Sequence, residues 1–260
     1  MKLQEELYNN TPPSIKTKDI KPFLRAEKSN FWLLCADWIF EFLLKQKFAA
    51  VRVKNLENIN KRNLNKPCII YAPHICWWDG ILGYYLGRKI FGFDINGMVE
   101  DLHAMPLLRK IGAFSVDKKS TKVIKNSVDF AIQNLNSSQK ALFIFPQGII
   151  RPQDYTEIKF SSGISYMASK LNGVNLIPIA VRYCFLRSAS PEILIDVAEP
   201  IFLEKIENRK ETTEMIEKHF KNLLKKQRNG ITNCDLDGYI TVLKQRESLI
   251  EFVQKKLKNN

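Results

Sequence analysis

His74 and Asp79 lie five positions apart in Ala72-Pro73-His74-Ile75-Cys76-Trp77-Trp78-Asp79-Gly80. A carboxylate hydrogen-bonded to one imidazole nitrogen fixes the tautomer and stabilises the imidazolium, which leaves the other nitrogen to take a proton from a hydroxyl. In one unbroken helix the two side chains would diverge by roughly 140°, so they meet only if His74 sits in a loop and Asp79 in the helical turn after it. The residues ahead of them suit that arrangement. The run 68–72 is apolar and of strand character, and Pro73 stops its ladder. The carboxyl end of a strand is where α/β folds hold ligands.

Two other chemistries compete for the same residues. Cys76, two positions from His74, could act as a thiol nucleophile. A metal site would need ligands beyond His74 and Asp79, and neither His103 nor His219 stands at ligand-like spacing from them, so no metal is expected. Trp77 and Trp78 are expected to pack in the core or face a membrane, although rings beside a base could line an acyl groove.

Further blocks follow in order: Gly112-Ala113-Phe114-Ser115-Val116-Asp117-Lys118, then Phe145-Pro146-Gln147-Gly148-Ile149-Ile150-Arg151, then Lys159-Phe160 with Gly163, and Ile177-Pro178-Ile179. With His74 and Asp79 as the opening H-x4-D, the series resembles the motifs of the 1-acyl-glycerol-3-phosphate acyltransferase family over about residues 48–200. Cys76 stands where that family commonly has serine, which makes it a small loop residue.

The resemblance implies direct acyl transfer without an acyl-enzyme. His74 would deprotonate an acceptor hydroxyl, which attacks the thioester of acyl-CoA or acyl-carrier protein, and no cofactor is implied. It also implies that Gly112, Lys118, Phe145, Pro146, Gln147, Gly148 and Arg151 surround the substrate, with Gly112, Pro146 and Gly148 acting through the turns they shape.

The chain departs from the family pattern at several of these positions. Lys118 stands for an arginine, Gln147 for a glutamate, Ile149 for a threonine and Ile150 for an arginine, with Arg151 displaced by one position. A lysine lacks the bidentate fork of arginine. The acceptor therefore stays open between a lysophosphatidate-like lysophospholipid, met by Lys118, Lys119 and Arg151, and a less charged head such as a glycolipid or lyso-aminolipid. A catalytically silent scaffold that binds membranes is the remaining alternative.

Composition narrows the partners. Forty Lys and Arg against 27 Asp and Glu give a net charge of +13, which favours an anionic partner. The basic residues are scattered, and zinc-finger and RNP-like patterns are missing, so the expected partner is an anionic membrane surface and not nucleic acid. Five widely spaced cysteines without a CxxC pair suit reduced thiols. The polar N-terminus lacks the apolar core of a signal peptide, so a peripheral place on the cytoplasmic side of a membrane is expected.

No stretch is apolar enough to span a bilayer, and the best candidate, 31–48, is interrupted by Asp37, Glu41 and Lys45. These three share one helical stripe and leave Phe31, Trp32, Leu34, Trp38, Ile39, Phe42 and Leu43 on the broad remaining surface. Such a helix suits either a membrane interface or the protein's own core.

Strands are expected at 48–53, 68–72, 141–145, 176–181 and 193–197, and helices at 121–135, 161–171 and 213–228, with Gly230 separating two late helices. Alternating strands and helices imply an α/β fold with a central, mainly parallel sheet flanked by helices. An N-terminal arm and amphipathic, membrane-docking helix over 1–47 would precede an acyltransferase domain over 48–260.

Overall fold

The computed structural model describes residues 21–186 and 188–245. Most of the expected N-terminal arm, and everything after residue 245, lie outside them. Helix α1 (Asn30–Lys47) leads into strand β1 (Ala50–Lys54), a short 3-10 turn (Leu56–Lys61) and β2 (Cys68–Tyr71). Helix α2 (Trp78–Tyr85) follows, then β3 (Asp94–Val99), a 3-10 turn (Pro106–Ile111), β4 (Ala113–Ser115), α3 (Thr121–Asn134) and β5 (Lys140–Ile144). The chain continues through α4 (Gly163–Lys170), β6 (Val174–Cys184), β7 (Glu192–Val197), β8 (Ile201–Leu203), α5 (Arg209–Thr232) and β9 (Tyr239–Lys244).

The strands form one sheet in the order β4-β3-β5-β2-β6-β7-β1-β9, with β8 also paired to β6. Pairing is parallel from β4 across to β6, as the alternating pattern predicts. It turns antiparallel where β6 meets β7, and again where β1 meets β9 and β6 meets β8, so the whole sheet is mixed.

Central strand β2 explains the apolar run in the sequence, because all four of its residues are fully buried. Ile70 packs on one face with Phe143 and Ile177 beneath α1 and α2, and Ile69 and Tyr71 pack on the other with Leu142 and Leu176 beneath α3, α4 and α5. A strand covered on both faces cannot alternate polar and apolar residues.

Two expectations need correction. Gly230 does not divide two helices: α5 runs through it to Thr232, and the chain then forms β9. One glycine costs a helix only about 1 kcal/mol. Here the helix is held by fully buried Ile216 and Phe220 and by Gln227, whose Nε2 donates to the Leu194 carbonyl at 3.1 Å. Strand β3 also forms where the sequence shows no strand pattern, since it carries Asp94, Asn96 and Gly97. Asn96 is tolerated because it is satisfied: its Nδ2 donates to the Gly112 carbonyl at 2.9 Å and its Oδ1 accepts from Lys28 Nζ at 2.9 Å.

Helix α1 is set with its polar stripe toward the protein. Asp37 accepts from Arg88 Nε at 2.8 Å and sits 3.0 Å from the Tyr84 hydroxyl, while Glu41 pairs with Lys45 at 2.6 Å. Leu33, Ala36 and Leu44 bury on the same side, and Phe31, Leu34, Trp38, Ile39 and Phe42 are left exposed. No helix among the described residues is long and apolar enough to cross a membrane.

Gly112 closes the turn Pro106–Ile111 at φ +105°, in the left-handed region, and a Cβ there would lie 2.6 Å from the Ile95 carbonyl oxygen. Backbone cannot yield as a flexible side chain does. Gly112→Ala is therefore expected to lower unfolding free energy by about 2–4 kcal/mol, measured by urea denaturation. Unchanged stability would mean that this turn does not hold β4 against β3.

Candidate active site

His74 lies in the loop after β2 and Asp79 in the first turn of α2, the split that their spacing demands. His74 Nδ1 is 2.9 Å from Asp79 Oδ2. Asp79 is 3% exposed and accepts four further hydrogen bonds: from Ile75 N at 2.5 Å and Cys76 N at 2.8 Å on Oδ2, and from the Tyr183 hydroxyl at 2.7 Å and the Cys76 thiol at 3.8 Å on Oδ1. The carboxylate thus folds the loop and orients the imidazole together. Among the described residues, no group bonds Nε2, so that nitrogen is free to meet a substrate.

The loop after β5 braces the other side of His74. The Phe145 ring stacks on the imidazole with centroids 4.3 Å apart and planes 13° from parallel. Gln147 Oε1 accepts from the His74 amide at 3.1 Å, and the Arg151 amide donates to the His74 carbonyl at 2.8 Å. Pro146 is buried, its carbonyl accepting from Ser161 N at 3.1 Å, and Gly148 turns the chain at φ +68°. Lys118, in the loop after β4, bonds the Gly148 carbonyl and so ties the second sequence block to the third. The Arg151 guanidinium lies over the Tyr155 ring, 5.3 Å from its centroid.

His74 opens onto a cavity of about 380 Å³ walled largely by apolar groups, including Phe40, Trp77, Ile81, Met98, Phe143 and Phe145. Gly112 also lines it, as do Gly80 and Gly83 of α2. Of the two adjacent tryptophans, Trp78 packs edge-on against Phe48 at 5.3 Å, whereas Trp77 is 62% exposed at the cavity wall.

The sequence-derived site residues therefore converge: His74, Asp79, Phe145, Gln147 and Arg151 share direct contacts, Pro146 and Gly148 shape the loop that carries them, Lys118 joins that loop, and Gly112 lines the cavity. Lys159 and Phe160 serve the frame, with the Phe160 amide bonded to Glu217 at 2.8 Å and its ring against Phe220. His103 bonds the Pro22 carbonyl at 2.9 Å and stands apart. Cys76 keeps its proton at neutral pH, because burial and the Asp79 carboxylate both push its thiol up, so it makes a poor nucleophile. Among the described residues no group of three or more His, Cys, Asp or Glu could hold a metal ion.

Tyr183 is the residue that sequence reasoning missed. Burial and the Asp79 charge push its phenol far up, so it remains a donor to the carboxylate. Its only sequence signal is its position in the same strand as the Ile-Pro-Ile block, more than a hundred residues from Asp79.

The acyltransferase family model matches residues 50–182, and the chain belongs to that family. The fold is similar to the crystal structure of PlsC, the 1-acyl-sn-glycerophosphate (LPA) acyltransferase of Thermotoga maritima, with a TM-score of 0.53 and 15% identity over 75% of this chain and 79% of that one. A search of curated proteins finds no match.

Tyr183→Phe removes one donor from a buried carboxylate and keeps the ring. A net loss of about 1–1.5 kcal/mol corresponds to a roughly tenfold fall in kcat. Steady-state kinetics on acyl transfer measures it, and a variant as fast as the parent would show that Asp79 is held well enough by its loop.

Proposed function

We propose that the protein transfers a fatty acyl group from acyl-CoA or acyl-carrier protein to a hydroxyl of a lysophospholipid-type acceptor. The observation that carries this reading is the pairing of His74 with Asp79, at 2.9 Å, at the wall of an apolar cavity. His74 Nε2 takes the hydroxyl proton as the oxygen attacks the thioester carbonyl carbon. When the tetrahedral intermediate collapses, the carbon–sulfur bond breaks and the imidazolium returns its proton to the departing thiolate. The apolar walls suit a fatty chain, and membership of the acyltransferase family supports the reaction class. Gly112, Lys118, Phe145, Pro146, Gln147, Gly148 and Arg151 form the substrate surroundings in this reading.

Such substrates partition into membranes, and α1 offers a surface suited to one. Trp38 and Phe42 stack at 5.7 Å on its exposed side, and Phe31, Leu34 and Ile39 extend the patch. Phe40 and Leu43 of the same helix line the cavity, so the patch and the cavity are parts of one element. We take α1 as an interfacial helix, with the net charge of +13 drawing the protein to an anionic, cytoplasmic leaflet.

His74→Ala should lower kcat/KM for acyl transfer by about 10²–10⁴-fold, the range of general acid–base catalysis, while the thermal melt stays cooperative. Thioester consumption against a panel of lysolipids measures it, and retained activity would end the mechanism. Trp38→Ala combined with Phe42→Ala should weaken binding to anionic vesicles at least tenfold, since two rings contribute about 2 kcal/mol or more when buried in lipid. Co-sedimentation reads the loss, and unchanged binding would place the docking surface elsewhere.

A further inference from the structure

Glu100 follows β3 and lines the same cavity as His74. Among the described residues that line this cavity it is the one carboxylate, and no lysine or arginine joins it there. The basic residue that family likeness would offer to a phosphate, Lys118, is already engaged: its Nζ lies 2.7 Å from Glu100 Oε2 and also bonds the Gly148 carbonyl. Arg151 turns its guanidinium over Tyr155. Lys119 is exposed and lines no part of the cavity.

A phosphomonoester head carries close to two negative charges at neutral pH. In this cavity it would meet the Glu100 carboxylate, and it would compete with that carboxylate for the lysine. An acceptor that brings a positive charge meets the opposite situation, because an ammonium can share the Glu100 carboxylate with Lys118. A carboxylate has two oxygens and about four lone-pair sites for such donors, and Lys118 occupies one oxygen.

From this arrangement we propose that Glu100 is a specificity-determining residue, and that the acceptor is a single-chain lipid with an amine in its headgroup instead of a phosphomonoester. The inference rests on the acyl-transfer reading and refines its substrate class. It also gives the lysine-for-arginine exchange at Lys118 a physical sense: a point charge can be held by one carboxylate, whereas the fork of an arginine would keep donors directed at a phosphate.

The test is acyl-thioester consumption by the full chain with four acceptors of one chain length: lysophosphatidate, lysophosphatidylethanolamine, an N-acylated amino acid with a free amine and a hydroxyl, and a neutral monoacylglycerol. The amine-bearing acceptors should show kcat/KM at least tenfold above lysophosphatidate. In Glu100→Gln the ratio of kcat/KM for the amine acceptor to that for lysophosphatidate should fall about tenfold, chiefly through KM. A merely structural role would lower all four acceptors by one common factor and keep that ratio, which would overturn the proposal, as would a parent enzyme that prefers lysophosphatidate. Both of those outcomes leave acyl transfer intact, whereas thioester consumption with none of the four would sink the acyl-transfer reading and this inference with it.

Discussion

The site depends on the carboxylate of Asp79. It is almost wholly buried and accepts from two backbone amides, one imidazole, one phenol and one thiol. An unpaired carboxylate at that depth would cost several kcal/mol, so the surrounding elements must supply donors in fixed places. Two of those donors are the amides of Ile75 and Cys76, which makes the loop from Pro73 to Trp77 a wrap around the charge. The imidazole is oriented by the contact that satisfies the carboxylate. Loop conformation and the His74–Asp79 geometry are therefore one constraint, and the Tyr183 hydroxyl extends it into β6.

The rest of the sheet serves this arrangement by register. Parallel pairing of β2 with both β5 and β6 brings the carboxyl ends of three strands to one edge. The loop after β5 then stacks Phe145 on His74, and Gln147 and Arg151 clasp the backbone of His74 from both sides. The far half of β6 pairs antiparallel with β7, and Tyr183 is delivered from within that ladder, opposite Ile193. Glycines of α2 are needed for the cavity and its packing: a Cβ on Gly83 would fall 2.8 Å from the Phe143 ring. The apolar wall near His74 thus depends on the missing side chain at Gly83.

Helix α1 shows how tertiary contacts reassign a pattern that sequence leaves open. Its stripe of Asp37, Glu41 and Lys45 would ordinarily face water. Here Arg88 and Tyr84 donate to Asp37 at the protein surface, and the aromatic residues take the outer side. A contiguous exposed apolar patch of that kind marks an interaction surface. The partners that reverse the helix lie about fifty residues away, so no local periodicity could have shown them.

A family resemblance pointed to the blocks around the pair, and the sequence by itself determined the α/β class, the position of the loop that carries His74 and the pairing of His74 with Asp79. These are local properties: a buried strand needs an uninterrupted apolar run, and a proline, a loop and a helical turn leave few ways to place two side chains five residues apart. Tertiary structure alone decided that Tyr183 completes the bonding of Asp79, that Glu100 holds Lys118 at the cavity, and that α1 turns its rings outward. Each of these joins residues from separate elements or the loops between them. Polar β3 was hidden for the same reason, since Asn96 is affordable only because Lys28 and Gly112 satisfy it. Hydrogen bonds across the sheet leave no periodic trace along the chain, and for that reason the His74–Asp79 pair could be read from the sequence while the groups that hold it could not.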